Sequence, residues 1–240
     1  MTANNTYEEI MQQLQALGEP SIKKVLLKHG IQEPLYGVKV EELKKINKKI
    51  KNGHELALKL YESGVYDAMY LAGLVAQPAQ MRPGELQSWA EKANSPALRE
   101  YTVAWVAAES GHGMAKAIEW INSGDEHLAT TGWATLASLL SITPDAELNI
   151  PLLSGLLDKV ARDIHNSGNR EKLAMNSYVI SAGIYVSALN EAARLTAAAV
   201  GKVSADMGDT ACKIPSAEDY IAKAEAKNAT GKKKKSARCM

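Results

Sequence analysis

Phenylalanine is absent from this 240-residue chain, and only two cysteines occur, Cys212 and Cys239. Two cysteines cannot form the disulfide framework of a small secreted domain, and they predict a reducing, cytoplasmic location. Histidine is also scarce, with five residues. No two of them have the spacing of a metal-binding helix, so the sequence predicts no metal site. The first ten residues, MTANNTYEEI, contain acids where a secretion signal needs a basic and then an apolar segment.

Motifs for nucleotide cofactors and for acyl transfer are missing as well. The sequence contains no GxGxxG, no phosphate-loop lysine motif and no GxSxG. These absences remove the usual signals of dinucleotide-dependent, nucleotide-driven and serine hydrolase chemistry. We therefore expect no cofactor.

Charge of one sign is not in excess overall, because 28 Lys and Arg face 27 Asp and Glu. The distribution is nevertheless uneven. Residues 227–240 contain five lysines, one arginine and no acid, which leaves residues 1–226 with more acids than bases. A second cluster between Lys23 and Lys51 contains nine lysines and three glutamates. Two basic zones on an acidic chain predict a polyanionic partner.

Long hydrophobic runs are missing too. The longest uncharged stretches, Leu128–Pro144 and Leu173–Asn190, contain serine, threonine, asparagine and glycine. We interpret both as helices buried in protein rather than in a lipid bilayer, and we expect no membrane partner.

The apolar residues that are present recur with helical spacing, as Leu43, Ile46 and Ile50 do. Glycine and proline interrupt this pattern often and divide the chain into about a dozen helices with short connections. This organisation predicts an all-α fold, an α-solenoid of HEAT-like antiparallel helix pairs that forms a curved superhelix. A compact helical bundle is the alternative. We expect one repeat domain over residues 1–226 and a basic flexible tail over residues 227–240.

Several segments resemble a known family. Tyr36–Ile46 (YGVKVEELKKI), Leu98–Val106 (LREYTVAWV) and Ala174–Ile180 (AMNSYVI) resemble the DNA alkylation repair enzyme family, the AlkD-like alkylpurine DNA glycosylases built from HEAT-like repeats. The C-terminal segment Gly201–Cys239 is similar to one branch of that family. The resemblance implies a superhelix with a basic concave groove for duplex DNA.

The resemblance also implies a catalytic site that this chain matches only in part. The family's glycosylases use a carboxylate, an arginine and tryptophans in the groove. The carboxylate is expected within residues 95–103, where Tyr101 takes its place, and the arginine is expected where Thr130 and Thr131 lie. Tyr178 replaces a second tryptophan. The chain thus resembles a divergent branch without a clear catalytic aspartate, and Glu100 is the substitute candidate. The alternative for Glu100 is a solvated helix acid.

The DNA-binding candidates come partly from spacing and partly from the resemblance. Lys44, Lys48 and Lys51 stand at i, i+4 and i+7, which predicts one basic helix face for phosphate contact or a simply solvated face. Further candidates for the groove are Arg99, Tyr101, Trp105, Thr131, Trp133, Arg170, Lys172, Asn176 and Tyr178. For the tryptophans the alternative is packing between helices, and for Asn176 it is a hydrogen bond to a backbone group.

Together these features predict a monomeric DNA-binding protein of the DNA alkylation repair family. Its expected partner is double-stranded, damaged or branched DNA, and excision of alkylated purines by a DNA N-glycosylase reaction stays open. Two alternatives carry no catalysis: a binder of branched DNA, and a helical-repeat scaffold for a protein partner.

Overall fold

All regular elements are helical in the computed structural model, which describes residues 6–206 and 213–238. The predicted all-α fold of helix pairs is therefore confirmed for the described residues. Cys212 and Cys239 lie outside them. Within the described residues no helix is both long enough and apolar enough to cross a membrane.

The chain begins with three helices, α1 (Tyr7–Leu17), α2 (Pro20–Lys28) and α3 (Val40–Asn47). Five helix pairs follow them and stack in chain order. The pairs are α4 (His54–Glu62) with α5 (Tyr66–Val75), α6 (Pro83–Lys92) with α7 (Ala104–Glu109), α8 (Gly113–Ile121) with α9 (Glu126–Ile142), α10 (Ile150–Asp163) with α11 (Asn169–Tyr185), and α12 (Asn190–Val200) with α13 (Ala217–Ala226). The second helices of successive pairs contact one another, and α5 does so through the helical turn Leu98–Val103 that runs directly into α7, so α5, α7, α9, α11 and α13 form an inner row. The first helices form an outer row.

The two uncharged stretches become the inner helices α9 and α11, as the sequence predicts. Asp125 begins α9 by accepting hydrogen bonds from the backbone N–H groups of His127 and Leu128. Small residues let these helices approach their neighbours. A side chain at Gly132 would lie 2.7 Å from the carbonyl oxygen of Ala117 on α8. Most of α9 and α11 is uncharged because these two helices are packed on several sides at once, and the charged residues of both lie in their first turn.

Tryptophan and tyrosine fill the core that phenylalanine would otherwise fill. Tyr61 stacks on Trp89 with ring centroids 4.0 Å apart, and its hydroxyl donates to the Trp89 carbonyl oxygen. Trp120 donates through its indole N–H to Gln87. These aromatic residues bridge neighbouring helix pairs, and each polar tip finds a partner inside the core.

Asp67 is fully buried at the start of α5. Its carboxylate accepts hydrogen bonds from the backbone N–H groups of Tyr36 (2.6 Å), Gly37 (3.3 Å) and Val38 (2.7 Å). It therefore fixes the loop that leads from α2 to α3. The same loop packs tightly against α2 at Gly37. The φ of Gly37 is +84°, and a side chain there would lie 2.6 Å from the backbone nitrogen of Lys23.

The C-terminal segment differs from the flexible tail that its composition predicts. After α13 the chain turns back, and residues 231–238 lie across the inner helices. The backbone N–H of Gly231 donates to the carbonyl oxygen of Ile184, and the backbone N–H of Lys234 donates to the carbonyl oxygen of Ser141. We call residues 231–238 the strap. Composition does not predict it because its partners, backbone groups and the carboxylates of Glu109 and Asp145, lie far away in the chain.

Candidate functional site

A groove runs along the inner helices between α2 on one side and the strap on the other. One cavity of about 460 Å³ lies under α2 and the 213–215 loop, and a smaller one of about 190 Å³ reaches the strap. The polar and aromatic residues that line them are His29, Tyr66, Glu100, Tyr101, Trp105, Ser138, Ser141, Arg170, Ser177, Ser181, Lys213 and Lys234. Three cations and one carboxylate make this lining positive in sign.

Four aromatic rings form a continuous column at the centre of the groove. Tyr66 contacts Tyr70 with ring centroids 6.2 Å apart, Tyr70 meets the edge of Trp105 at 6.0 Å, and Trp105 contacts Tyr101 at 5.4 Å. The first three rings are buried, whereas Tyr101 is 47% exposed. Because three packed rings support it, Tyr101 presents a rigid aromatic surface to the groove.

A π-helical turn at Leu98–Val103 brings Glu100 and Tyr101 to this groove. The hydroxyl of Ser95, three residues before Leu98, accepts a hydrogen bond from the backbone N–H of Leu98. The wider turn changes which side chains point inward, and such turns are frequent at functional sites. Thr102, in the same turn, packs against Gly73 of α5, where a side chain would lie only 2.6 Å from its methyl carbon.

Glu100 is held by Arg170 across the groove. The Nε and Nη2 atoms of Arg170 both lie 2.8 Å from the same carboxylate oxygen, Oε1. Burial raises the pKa of Glu100 above its ordinary value, while Arg170 and Arg99 oppose the rise. A carboxylate that stabilises a developing cation must be ionised and close to it. Here the charge of Glu100 is already compensated by Arg170.

Three predicted groove residues lie elsewhere. Trp133 and Tyr178 are fully buried in the core, with ring centroids 5.3 Å apart, and the Tyr178 hydroxyl donates to the Leu153 carbonyl oxygen. Thr131 is also buried and donates to the carbonyl oxygen of His127 within α9. The expectation that they line the groove is wrong, because all three side chains are fully buried between packed helices.

Asn176 also has a structural partner. Its amide donates to the Pro215 carbonyl oxygen and so positions the loop before α13. This is the backbone contact that the sequence leaves open as the alternative. The contact matters for the groove, because residues 213–215 form part of its wall.

The lysines of the N-terminal cluster do not form the single helical face that their spacing predicts. Helix α3 ends at Asn47, so Lys48 caps it and Lys51 lies in the following bend. The chain turns here because Asn52 adopts a positive φ of 51°. In the described part of the chain, Lys44, Lys48 and Lys51 have no ion-pair partner, and none of them lines the two cavities.

Of the other predicted cations, only Arg170 lines one of the two cavities. Arg170 lines the groove, whereas Lys172, two residues later and therefore on nearly the opposite side of α11, is half-buried and lines neither cavity. Arg99 lines neither cavity, and burial lowers the pKa of its guanidinium while Glu100 and Asp125 oppose this change. Its Nε atom has no hydrogen-bond partner among the described residues.

Several groove residues were not predicted. Ser138, Ser177 and Ser181 face the groove because α9 and α11 lie side by side. Lys213 and Lys234 reach it only through the fold of the C-terminal region. In the sequence, only the basic composition of that region indicates that Lys234 contributes to a binding site. Within residues 6–206 and 213–238 no cluster of three His, Cys, Asp or Glu residues could hold a metal ion.

Comparison with known proteins identifies related chains. A family model described as "DNA alkylation repair enzyme" matches residues 10–194. An uncharacterized protein of Listeria monocytogenes is 32% identical over 229 residues, which cover 91% of this chain and 97% of that protein. An uncharacterized protein of Listeria innocua is 31% identical over the same length, with the same coverage.

One solved structure is also similar over nearly the whole chain. It superposes with a TM-score of 0.89 at 35% sequence identity, and the match covers 97% of this chain and 99% of that one. That structure is described as "a new family of proteins related to the HEAT-like repeat DNA glycosylases with affinity for branched DNA structures".

Proposed function

Since this chain belongs to the DNA alkylation repair enzyme family, we propose that it binds branched or distorted DNA along the groove of its inner helices. The similar solved structure, whose protein family is described as having affinity for branched DNA, supports this proposal. The positive lining of the groove supports it too, because phosphate neutralisation supplies most of the affinity in non-specific DNA binding.

The observation that carries the proposal is the exposed ring of Tyr101 on its buried aromatic column. Bases at a branch point can leave their neighbours, and a free base face can then stack on an aromatic side chain. A linear duplex offers no such face along its length. Tyr101 therefore favours DNA whose stacking is interrupted.

The Tyr101→Ala variant is expected to bind a four-way junction about 10-fold more weakly than the wild type, because base–aromatic stacking contributes about 1–3 kcal/mol per base. The effect on a linear duplex of the same sequence is expected to be smaller. Gel retention of both DNAs at one salt concentration measures the difference. Tyr220→Ala is the matched control, since Tyr220 is also exposed but lies on α13 outside the two cavities.

Two results would contradict the proposal. One is a wild-type protein that retains the junction no better than the linear duplex, or retains neither. The other is a Tyr101→Ala variant that binds the junction as well as Tyr220→Ala does. Tyr101→Trp tests the stacking argument further, because it keeps an aromatic face and should keep the affinity.

Base excision is the second candidate function, and the position of Glu100 in the groove favours it. The carboxylate would stabilise the cation that forms as an alkylated purine departs. Its pairing with Arg170 argues for binding without excision. The test is release of free alkylated base from a methylated duplex by the wild type and by Glu100→Gln. Release that is lost in Glu100→Gln would establish excision.

We further propose that the protein acts as a monomer in the cytoplasm. The groove supports the monomer, because one chain supplies both its floor and its two sides. Light scattering of the free protein and of its junction complex tests this. A dimer in either sample would contradict it.

A further inference from the structure

The strap follows a single line, crossing the carboxyl ends of four inner helices in reverse chain order. Gly231 contacts Ile184 near the end of α11, and Lys233 and Lys234 contact Leu140 and Ser141 near the end of α9. Ser236, Ala237 and Arg238 contact Glu109, the last residue of α7. The Nη1 atom of Arg238 then donates to the carbonyl oxygens of Gly73, Leu74 and Ala76 at the end of α5.

The length of the strap fits this path. Seven residue steps separate Gly231 from Arg238, and an extended chain covers about 24 Å in that distance. Four helices side by side at spacings of about 8–10 Å are about 24–30 Å across. The strap therefore crosses the whole inner row in a nearly extended conformation, with about two residues for each helix.

This path changes the sign of the electrostatic potential along one side of the groove. The amino ends of helices carry partial positive charge and free N–H groups, whereas the carboxyl ends carry partial negative charge and free carbonyl oxygens. A groove across parallel helices thus has one side that attracts phosphate and one that repels it. The strap covers the repelling side. Its Arg238 occupies three of the free carbonyl oxygens directly.

The lysines of the strap divide into two groups. Lys233 turns inward, where its ammonium lies 2.9 Å from a carboxylate oxygen of Asp145 and donates to the Leu140 carbonyl oxygen. Lys232, Lys234 and Lys235 are exposed. The ammonium of Lys234 lies 5.1 Å from the centre of the Tyr185 ring, and Lys234 also lines the groove. One lysine is thus an anchor, and three face solvent along the edge of the groove.

We propose that the strap forms a phosphate-binding edge of the groove, in which Lys232, Lys234 and Lys235 contact the backbone of one arm of the bound DNA. This proposal rests on the proposed DNA-binding function. It adds a second role for the segment, since the anchored residues hold the inner helices together while the exposed ammoniums bind phosphate. Such contacts carry no sequence information and depend strongly on salt.

The test compares two triple variants that each remove three positive charges. The strap variant is Lys232→Gln, Lys234→Gln and Lys235→Gln. The control variant is Lys59→Gln, Lys92→Gln and Arg162→Gln, three exposed cations of the outer row. Binding of a four-way junction is measured by fluorescence anisotropy at several salt concentrations. Thermal unfolding of each protein establishes that the fold is intact.

The strap variant is expected to bind the junction on the order of 10- to 100-fold more weakly at 0.1 M salt, and its slope of log K against log salt should fall by about 2–3. Replacing the same three lysines with arginine should restore affinity and slope. The control variant should retain the wild-type slope. If the two glutamine variants behave alike, or if the strap variant binds as the wild type does, the proposal is overturned. Failure of the wild type to bind the junction at all would instead contradict the proposed function.

Discussion

Replacement of Asp67 by alanine is expected to lower the free energy of unfolding by about 4 kcal/mol. The carboxylate is fully buried and accepts from three consecutive backbone N–H groups, those of residues 36–38. Without it these donors lose their partner in a place that water does not reach easily. Each unsatisfied buried donor costs about 1–3 kcal/mol.

The loop cannot adapt easily to this loss, which is why the full cost is expected. Gly37 has a positive φ and packs tightly against the backbone of Glu19 and Lys23. Urea unfolding followed by circular dichroism measures the change. Asp158→Ala is the control, because Asp158 is exposed on α10 and its loss should cost less than about 0.5 kcal/mol. A cost below about 1 kcal/mol for Asp67→Ala would contradict the role assigned to this carboxylate.

Replacement of Glu109 by alanine is expected to release the strap and to cost about 3 kcal/mol. Glu109 accepts from the Ser236 hydroxyl, from backbone N–H groups of Ala237 and Arg238, and from the Arg238 guanidinium. The side chains of Glu109 and Arg238 are only 15% and 12% exposed. Removing one partner of such a pair leaves a poorly solvated charge, so the segment should detach to solvate Arg238.

Limited trypsin digestion followed by mass spectrometry detects the released strap. Cleavage after Lys232 to Lys235 should become much faster in Glu109→Ala than in the wild type. Glu119→Ala is the control, because Glu119 is an exposed acid on α8 that pairs with Lys116 and lies away from the strap. Equal cleavage rates in the two variants would show that Glu109 does not hold the strap.

The same anchor predicts a pH dependence. Burial alone would raise the pKa of Glu109, but Ser236, Arg238 and the Ala237 N–H together hold that pKa below its ordinary value of 4.5. The folded state therefore prefers the ionised carboxylate. Its contribution to stability is present above pH 4.5 and is lost as the pH falls through the lowered pKa. In Glu109→Gln this part of the acid sensitivity should disappear, as urea unfolding at several pH values would measure.

Most of the fold could be predicted from the sequence, because helix formation and burial follow local patterns. The uncharged stretches containing Trp133 and Tyr178, which the sequence predicts to be buried helices, form most of α9 and α11. Spacing was less reliable where a helix ends early. Lys51 falls outside α3 because the chain turns at Asn52, and no lysine pattern reports such a turn.

The candidate site was predicted only in part. Glu100, Tyr101, Trp105 and Arg170 do meet at the groove, although Arg170 lies 70 residues after Glu100 in the chain. Trp133 and Tyr178 are adjacent to groove residues in sequence but face the core. Neighbouring positions on a helix point in different directions, so a resemblance between segments locates a helix without deciding which of its side chains reaches the groove.

The sequence by itself determined the all-helical class, the repeated helix pairs, the family resemblance and the two basic zones. These features depend on composition, on spacing of three to four residues and on matching segments. Only the tertiary structure decided that Tyr101 is the exposed ring of the aromatic column, that Arg170 neutralises Glu100, and that the basic C-terminal segment lies across the helix ends. Those contacts join residues far apart in the chain, and their geometry exists only once the helices have packed.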